Sequence, residues 1–552
     1  MKKILTLLLA VALLFTISAC GGNKQEAQDD KQKQGEENAD AAGGQKVLRL
    51  ISNIDLNTMD AQITTDGFAF EVITSCTDGL YFMNEEGIPV PALAEKTEIS
   101  EDGLTYTFTI RDAVWSNGDK VTANDFEYGW KRLANPETKA EYGYLLDVAG
   151  VKNAAAVVAG ELPVDELGVK AIDEKTLVVE LEKKVPFFLS LTSFTPLFPA
   201  NEKFVTEKGD EYGLSADATI ANGPFKMVEW NQGTSWKLVK NDTYYDKENV
   251  KLDGIEYKVM LDTQSAVLEY ESGNADYVKL TGELVESYKE HPDYSSQLGE
   301  YLWWLSVNIK KDNLSNENLI QALKYAFDRK QIAESVLKDG SIPIYGFVPL
   351  KLAADENGKD FRETNGAILS DDKEKAKEYW EKAKKEMGKD SVEIELLFED
   401  SEQSKNVAEF LQADIQNTLP GVIINLKSQP KKTRLKLMSS AEYEMGLTRW
   451  GPDYQDPMTY LELFRENGQT NYAHWKNEEY ETLMAECLAA NDPPAVRWEK
   501  MLKAEKILMA SAGGPIPVYQ VGDAALWNPK VKGVIPSSVG VKFKFKFAEI
   551  AD

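Results

Sequence analysis

Histidine and cysteine are scarce in this chain: two of the first and three of the second in 552 residues. His291 and His474 stand in no metal-ligand spacing with cysteine or with each other, which argues against a zinc enzyme. The same scarcity argues against a serine or cysteine nucleophile activated by histidine. No GxSxG elbow, phosphate loop or dinucleotide fingerprint occurs, and no segment repeats at a fixed period. Basic residues are in deficit, 62 Lys and Arg against 90 Asp and Glu, and the net charge of −28 argues against a nucleic-acid partner. After the first 20 residues no long apolar run marks a membrane span. One cysteine, Cys20, belongs to the N-terminal signal. Cys76 and Cys487 lie far apart, and the sequence leaves open a bridge formed outside the cell or two free buried thiols.

What is present begins with residues 1–20, MKKILTLLLAVALLFTISAC. Two lysines precede an apolar run too short to span a bilayer, then small residues and a cysteine. This resembles a bacterial lipoprotein signal: residues 1–19 are removed and Cys20 becomes the acylated first residue. Each buried CH₂ contributes roughly 0.8 kcal/mol, and stable anchoring takes more than one chain. Residues 21–46 contain no aromatic and no β-branched residue, so they cannot offset their ordering entropy and read as a flexible tether. The remaining chain, 43% hydrophobic over the whole sequence, suffices for two or three domains.

Residues 448–464, TRWGPDYQDPMTYLELF, form the focal stretch. Gly451, Pro452 and Pro457 break regular structure around Asp453 and Asp456, and apolar residues at helical spacing follow from Met458. A carboxylate on a stiff turn beside Trp450 suits a small cation held against an aromatic wall. Alternation predicts strands over 47–53, 104–110 and 177–181. Helical spacing predicts a helix over 71–81, stopped at Gly79. Thr122 and Asp125 form a capping box ahead of a helix running through Trp130. Trp115, Phe126 and Trp130 read as core, and Arg111 and Asp125 as structural polar residues.

Ser100, Asp102-Gly103, Thr105-Tyr106, Phe108, Arg111, Trp115-Ser116, Gly118, Thr122-Ala123 and Asp125-Phe126 are a multi-part match at fixed spacing. Residues 167–173, 222–225, 322–329, 450–457 and 516–519 continue it. This pattern resembles the extracellular solute-binding proteins (family 5) of oligopeptide and dipeptide ABC transporters, closest to the oligopeptide-binding branch. The resemblance covers residues 47 to about 539. It implies an α/β fold of the periplasmic-binding-protein type, class II-like (cluster C), with two lobes closing on a ligand and a third extending the first. Lobe I takes residues 47–80, 201–299 and 522–552, lobe II 81–200 and lobe III 300–521.

The resemblance also implies roles. Asp453 matches the aspartate that binds a peptide's α-ammonium, Trp450 and Trp304 match aromatic positions near the ligand, and Tyr142 matches a tyrosine of the opposing lobe. Thr65, Asp66 and Gly67 match a segment whose backbone pairs with the extended peptide, a mode that gains affinity from main-chain hydrogen bonds. Where the family has basic residues for a C-terminal carboxylate, this chain has Leu337 and Leu447; Lys431 replaces a pocket tryptophan; Tyr301 and Gly451 stand where the family has a cysteine bridge. Arg449 offers an alternative positive charge. The implied function is a non-enzymatic, lipid-anchored monomer on the extracytoplasmic face of the cell membrane. It takes short peptides to an ABC permease and uses no cofactor and no metal. Alternatives are a sister receptor for nickel chelate, heme or sugar, a peptide-signal sensor, and a secreted hydrolase using Asp453 with Asp456. An ammonium partner implies an Asp453 pKa below about 3.9 in the complex.

Overall fold

A computed structural model describes residues 45–551 apart from 86, 467, 469, 490, 491 and 537–539. The expected signal and the acylated Cys20 lie outside the described residues, as does all but the last two residues of the tether. Residues 46–552 group as one compact unit.

The chain opens with β1 (Val47–Ser52) and the helix α1 (Gly67–Cys76), then β2 (Tyr81–Met83) and β3 (Pro89–Pro91), a two-stranded ribbon. Next come β4 (Ala94–Ile99), β5 (Thr105–Ile110), the helix α2 (Ala123–Ala134), β6 (Val169–Ala171) and β7 (Thr176–Glu180). These four strands form an antiparallel sheet in the order β4-β5-β7-β6. The threonines of β5 alternate with buried Tyr106, Phe108 and Ile110, as the period of two requires. At the start of α2 the Asp125 carboxylate accepts from the Thr122 N–H at 2.7 Å, the expected cap. Trp115, Phe126 and Trp130 are fully buried, as their apolar surroundings in sequence suggest.

The main sheet is larger. Its strands are β8 (Phe225–Asn231), β9 (Ser235–Lys240), β10 (Gly254–Val259), β11 (Tyr277–Lys279), β12 (Tyr294–Val307), β13 (Ile342–Pro343), β14 (Val392–Glu399), β15 (Val422–Gln429), β16 (Met445–Trp450) and β17 (Ile516–Trp527), with β1. The order is β15-β14-β16-β12-β17-β11-β1-β10-β9-β8, with β13 on β17. Parallel pairs (β1 with β10, β14 with β15) sit beside antiparallel ones, so the sheet is mixed. The long strands β12 and β17 pair with each other along most of their length. Their register slips between Leu298 and Leu302, a bulge that bends the pair. The expected lobe limits at 299/300 and 521/522 fall inside these two strands.

One expectation is corrected. The helix predicted over 71–81 is α1, four residues earlier: the Asp66 side chain accepts from Phe68 N and caps it, and Thr77 ends it. Tyr81 lies in β2. Of the two cysteine readings, free thiols hold: Cys76 and Cys487 are both free and buried, in separate apolar clusters.

Candidate functional site

The strand β16 ends at Trp450, and the next residues leave the sheet. The Tyr460 hydroxyl donates back to the Trp450 carbonyl at 3.0 Å, and Asp453 N donates to the Thr459 hydroxyl at 3.0 Å. The expected helix is the short turn Met458–Leu461, continued by a 3₁₀ turn to Phe464. Tyr454 stacks on Phe187, with centroids 4.0 Å apart and planes 5° from parallel. These contacts over-determine the loop, so its carboxylate is positioned before any ligand arrives.

Asp453 is 6% exposed and lines a cavity of about 840 Å³. The Tyr144 hydroxyl donates to its Oδ2 at 2.8 Å. Burial pushes the carboxyl up to about 7, while hydrogen bonds from Tyr144 and Tyr142 act the other way. Among the described residues no cation pairs with it. Asp456, three residues on, is bound by Arg497 through two N–H donors at 2.6 and 3.0 Å and does not line the cavity. The carboxylate couple weighed as a hydrolytic pair is therefore divided, one acid toward the cavity and one neutralised away from it.

The other expected residues are distributed unevenly. Thr65, Asp66, Gly67, Tyr142 and Arg449 line the cavity. Gly67, however, is the first residue of α1, not part of a strand, and a Cβ there would meet only ordinary contacts at 3.5 Å and beyond. Close approach does not require that glycine. Trp304 is in the core, edge-on to Phe347 at 5.2 Å, and Trp450 does not line the cavity either. It is Trp303 that reaches the cavity wall. Neighbouring residues of a strand point to opposite faces, so one of the tryptophan pair must turn inward. Arg449 lies 4.8 Å over the Trp303 ring and 3.2 Å from Glu399, a carboxylate it shares with Arg434 at 3.5 Å, so its charge is only partly balanced.

Leu337 and Leu447 are buried and do not line the cavity. Lys431 does line it. Tyr301 and Gly451 pack together: a Cβ on Gly451 would come within 2.5 Å of the Tyr301 ring. Sequence reading missed Trp303, Tyr144 and the lysines at the C-terminal end. Tyr144 was legible as the second tyrosine of Glu141-Tyr142-Gly143-Tyr144, which forms a 3₁₀ turn bringing both rings to the same carboxylate.

The family model "Bacterial extracellular solute-binding proteins, family 5 Middle" matches residues 89–472. The dipeptide-binding protein DppE of Bacillus subtilis is 32% identical, over 98% of this chain and 97% of its own length. The substrate-binding domain of an oligopeptide ABC transporter from Bacillus anthracis superposes with a TM-score of 0.80 at 40% identity, covering 92% of this chain and 99% of that one. Listeria monocytogenes OppA bound to peptide gives 0.80 at 34%, covering 92% and 100%. The chain belongs to the bacterial extracellular solute-binding proteins of family 5.

Proposed function

We propose that this protein captures short peptides in the cavity beside Asp453 and delivers them to the permease of an ABC importer, with no chemistry of its own. The observation that carries this reading is a buried carboxylate that faces the cavity, accepts from tyrosine hydroxyls and, among the described residues, has no cation paired with it. A buried carboxylate without a counter-charge is costly unless something supplies one. A peptide's α-ammonium does so whatever the sequence of the peptide. Tyr142 and Trp303 wall the ligand, Arg449 closes the far side of Trp303, and Thr65 with the first turn of α1 at Gly67 contributes backbone groups. Trp450 and Trp304 act from behind, by holding β12 and β16 in place. The volume of about 840 Å³ suits a small extended ligand.

In this reading the hinge of lobe closure is the bulged pair β12 and β17. Cys20 carries the lipid, and the protein works as a tethered monomer on the extracytoplasmic face of the cell membrane. A neutral sugar has no ammonium to pair with Asp453, which disfavours that sister solute. The similarity to dipeptide- and oligopeptide-binding proteins supports peptide as the ligand. Mass spectrometry of material released from the purified full chain tests the reading. Peptides of a few residues with free N-termini are expected; a sugar or a metal chelate in their place would overturn it.

A further inference from the structure

Residues 541–547 read VKFKFKF. Val541, Phe543 and Phe545 are buried among apolar side chains, and the three lysines alternate with them. Two of them are neutralised. Lys542 reaches Asp523 at 2.7 Å, and Lys546 reaches Asp246 at 2.8 Å. Lys544, between them, is different. Among the described residues no carboxylate lies within ion-pair distance of it. Its acceptor is the Met83 carbonyl at 3.2 Å, and the Phe82 ring lies 5.1 Å away.

Lys544 is nevertheless 6% exposed, and it lines the same cavity as Asp453. An ammonium carries three donors, and one carbonyl uses one of them. Buried cations are normally paired, and Lys546, with its side chain 10% exposed, obeys that rule. Among the described residues no opposite charge offsets the burial of Lys544, which pushes its ammonium down to about 7. Lys324, fully buried, also lacks a carboxylate, but two backbone carbonyls, of Met509 and Ser511, take its ammonium; Lys544 has one carbonyl and the cavity.

We propose that Lys544 is an anion subsite of the cavity, taking a carboxylate of the bound ligand, so that this protein prefers peptides that present a carboxylate there over peptides that do not. The inference rests on the peptide reading above. The carboxylate has two sources, an acidic side chain or a free C-terminus, and calorimetric titration of the full chain separates them. The probes are Ala-Ala-Ala against its C-terminal amide, and tripeptides with Glu against Gln at each position in turn. One of these pairs is expected to show about a tenfold preference for the charged member, and the pair that does so identifies the source. Lys544→Met should bind the neutral members as wild type does and lose the preference to within about twofold, while Lys544→Arg keeps it. Removing an unpaired buried cation should leave the melting temperature unchanged or higher, where loss of a structural lysine would lower it. Equal affinity within every pair for wild type overturns the inference without needing any variant. So does a preference that survives Lys544→Met. A wild type that binds none of the peptides overturns the peptide reading and this inference together.

Discussion

The loop around Asp453 and the lysine row at 541–547 bring opposite charges to one cavity, and each is best understood from its neighbours. In the loop, Asp456 is held by Arg497. In the row, Lys542 and Lys546 are held by Asp523 and Asp246. The exceptions are Asp453 and Lys544, both 6% exposed and both in the cavity wall. Their support differs. Asp453 accepts tyrosine hydroxyls that favour its charged form, whereas Lys544 has a single backbone acceptor. Burial brings both toward 7 from opposite sides. An ionisable side chain given a partner at one position and denied one two or three residues away marks where the fold leaves room for a ligand's charge.

The largest expected effect separates Asp453 from Asp456. Asp453→Asn should weaken binding of a peptide with a free N-terminus at least a hundredfold by calorimetry, because a stranded buried charge costs about 3–5 kcal/mol. Its folding should not suffer. The carboxyl is raised in the folded state, so its contribution to stability is present at low pH and is lost as pH rises toward 7. At pH 8 the asparagine variant should therefore melt higher than wild type. Arg497→Met should do the reverse: a lower melting temperature from the unpaired Asp456, with peptide affinity kept in the protein that remains folded. Affinity lost equally in both variants would erase the distinction between the two acids.

The pH dependence sharpens the same comparison. A ligand ammonium binds the charged carboxylate, so affinity should fall as pH drops below about 7, by up to tenfold per unit. Binding in that range should release a proton, read from calorimetry in buffers of different ionisation enthalpy. The fall starts well above the ordinary carboxylate range because burial sets the starting value; the expectation of a value below about 3.9 concerns the complex alone. Smallest is Tyr144→Phe, which removes one of the hydroxyls that favour the charge and should cost about tenfold in affinity for the same peptide.

Much of the frame was legible in the sequence. Alternation located β1, β5 and β7, and the Thr122–Asp125 spacing located the start of α2, because both are local patterns with one dominant cause. α1 was displaced because Asp66 acts as a helix cap, while sequence reading assigned residues 65–67 to the ligand. Trp303 was passed over for Trp304 because alternation fixes that two neighbours diverge but not which of them meets the cavity. The row VKFKFKF reads in sequence as a strand with a solvated face. Only the fold shows that Lys544 on that face is buried against Met83 and open to the cavity.

The central claim is that a buried negative charge waits for the amine end of a peptide. Its most direct measurement is the calorimetric affinity of one tripeptide for the wild-type chain with its N-terminus free and with it acetylated, both at pH 7.5. The account predicts that acetylation lowers affinity at least a hundredfold; equal affinity for the two forms would contradict it.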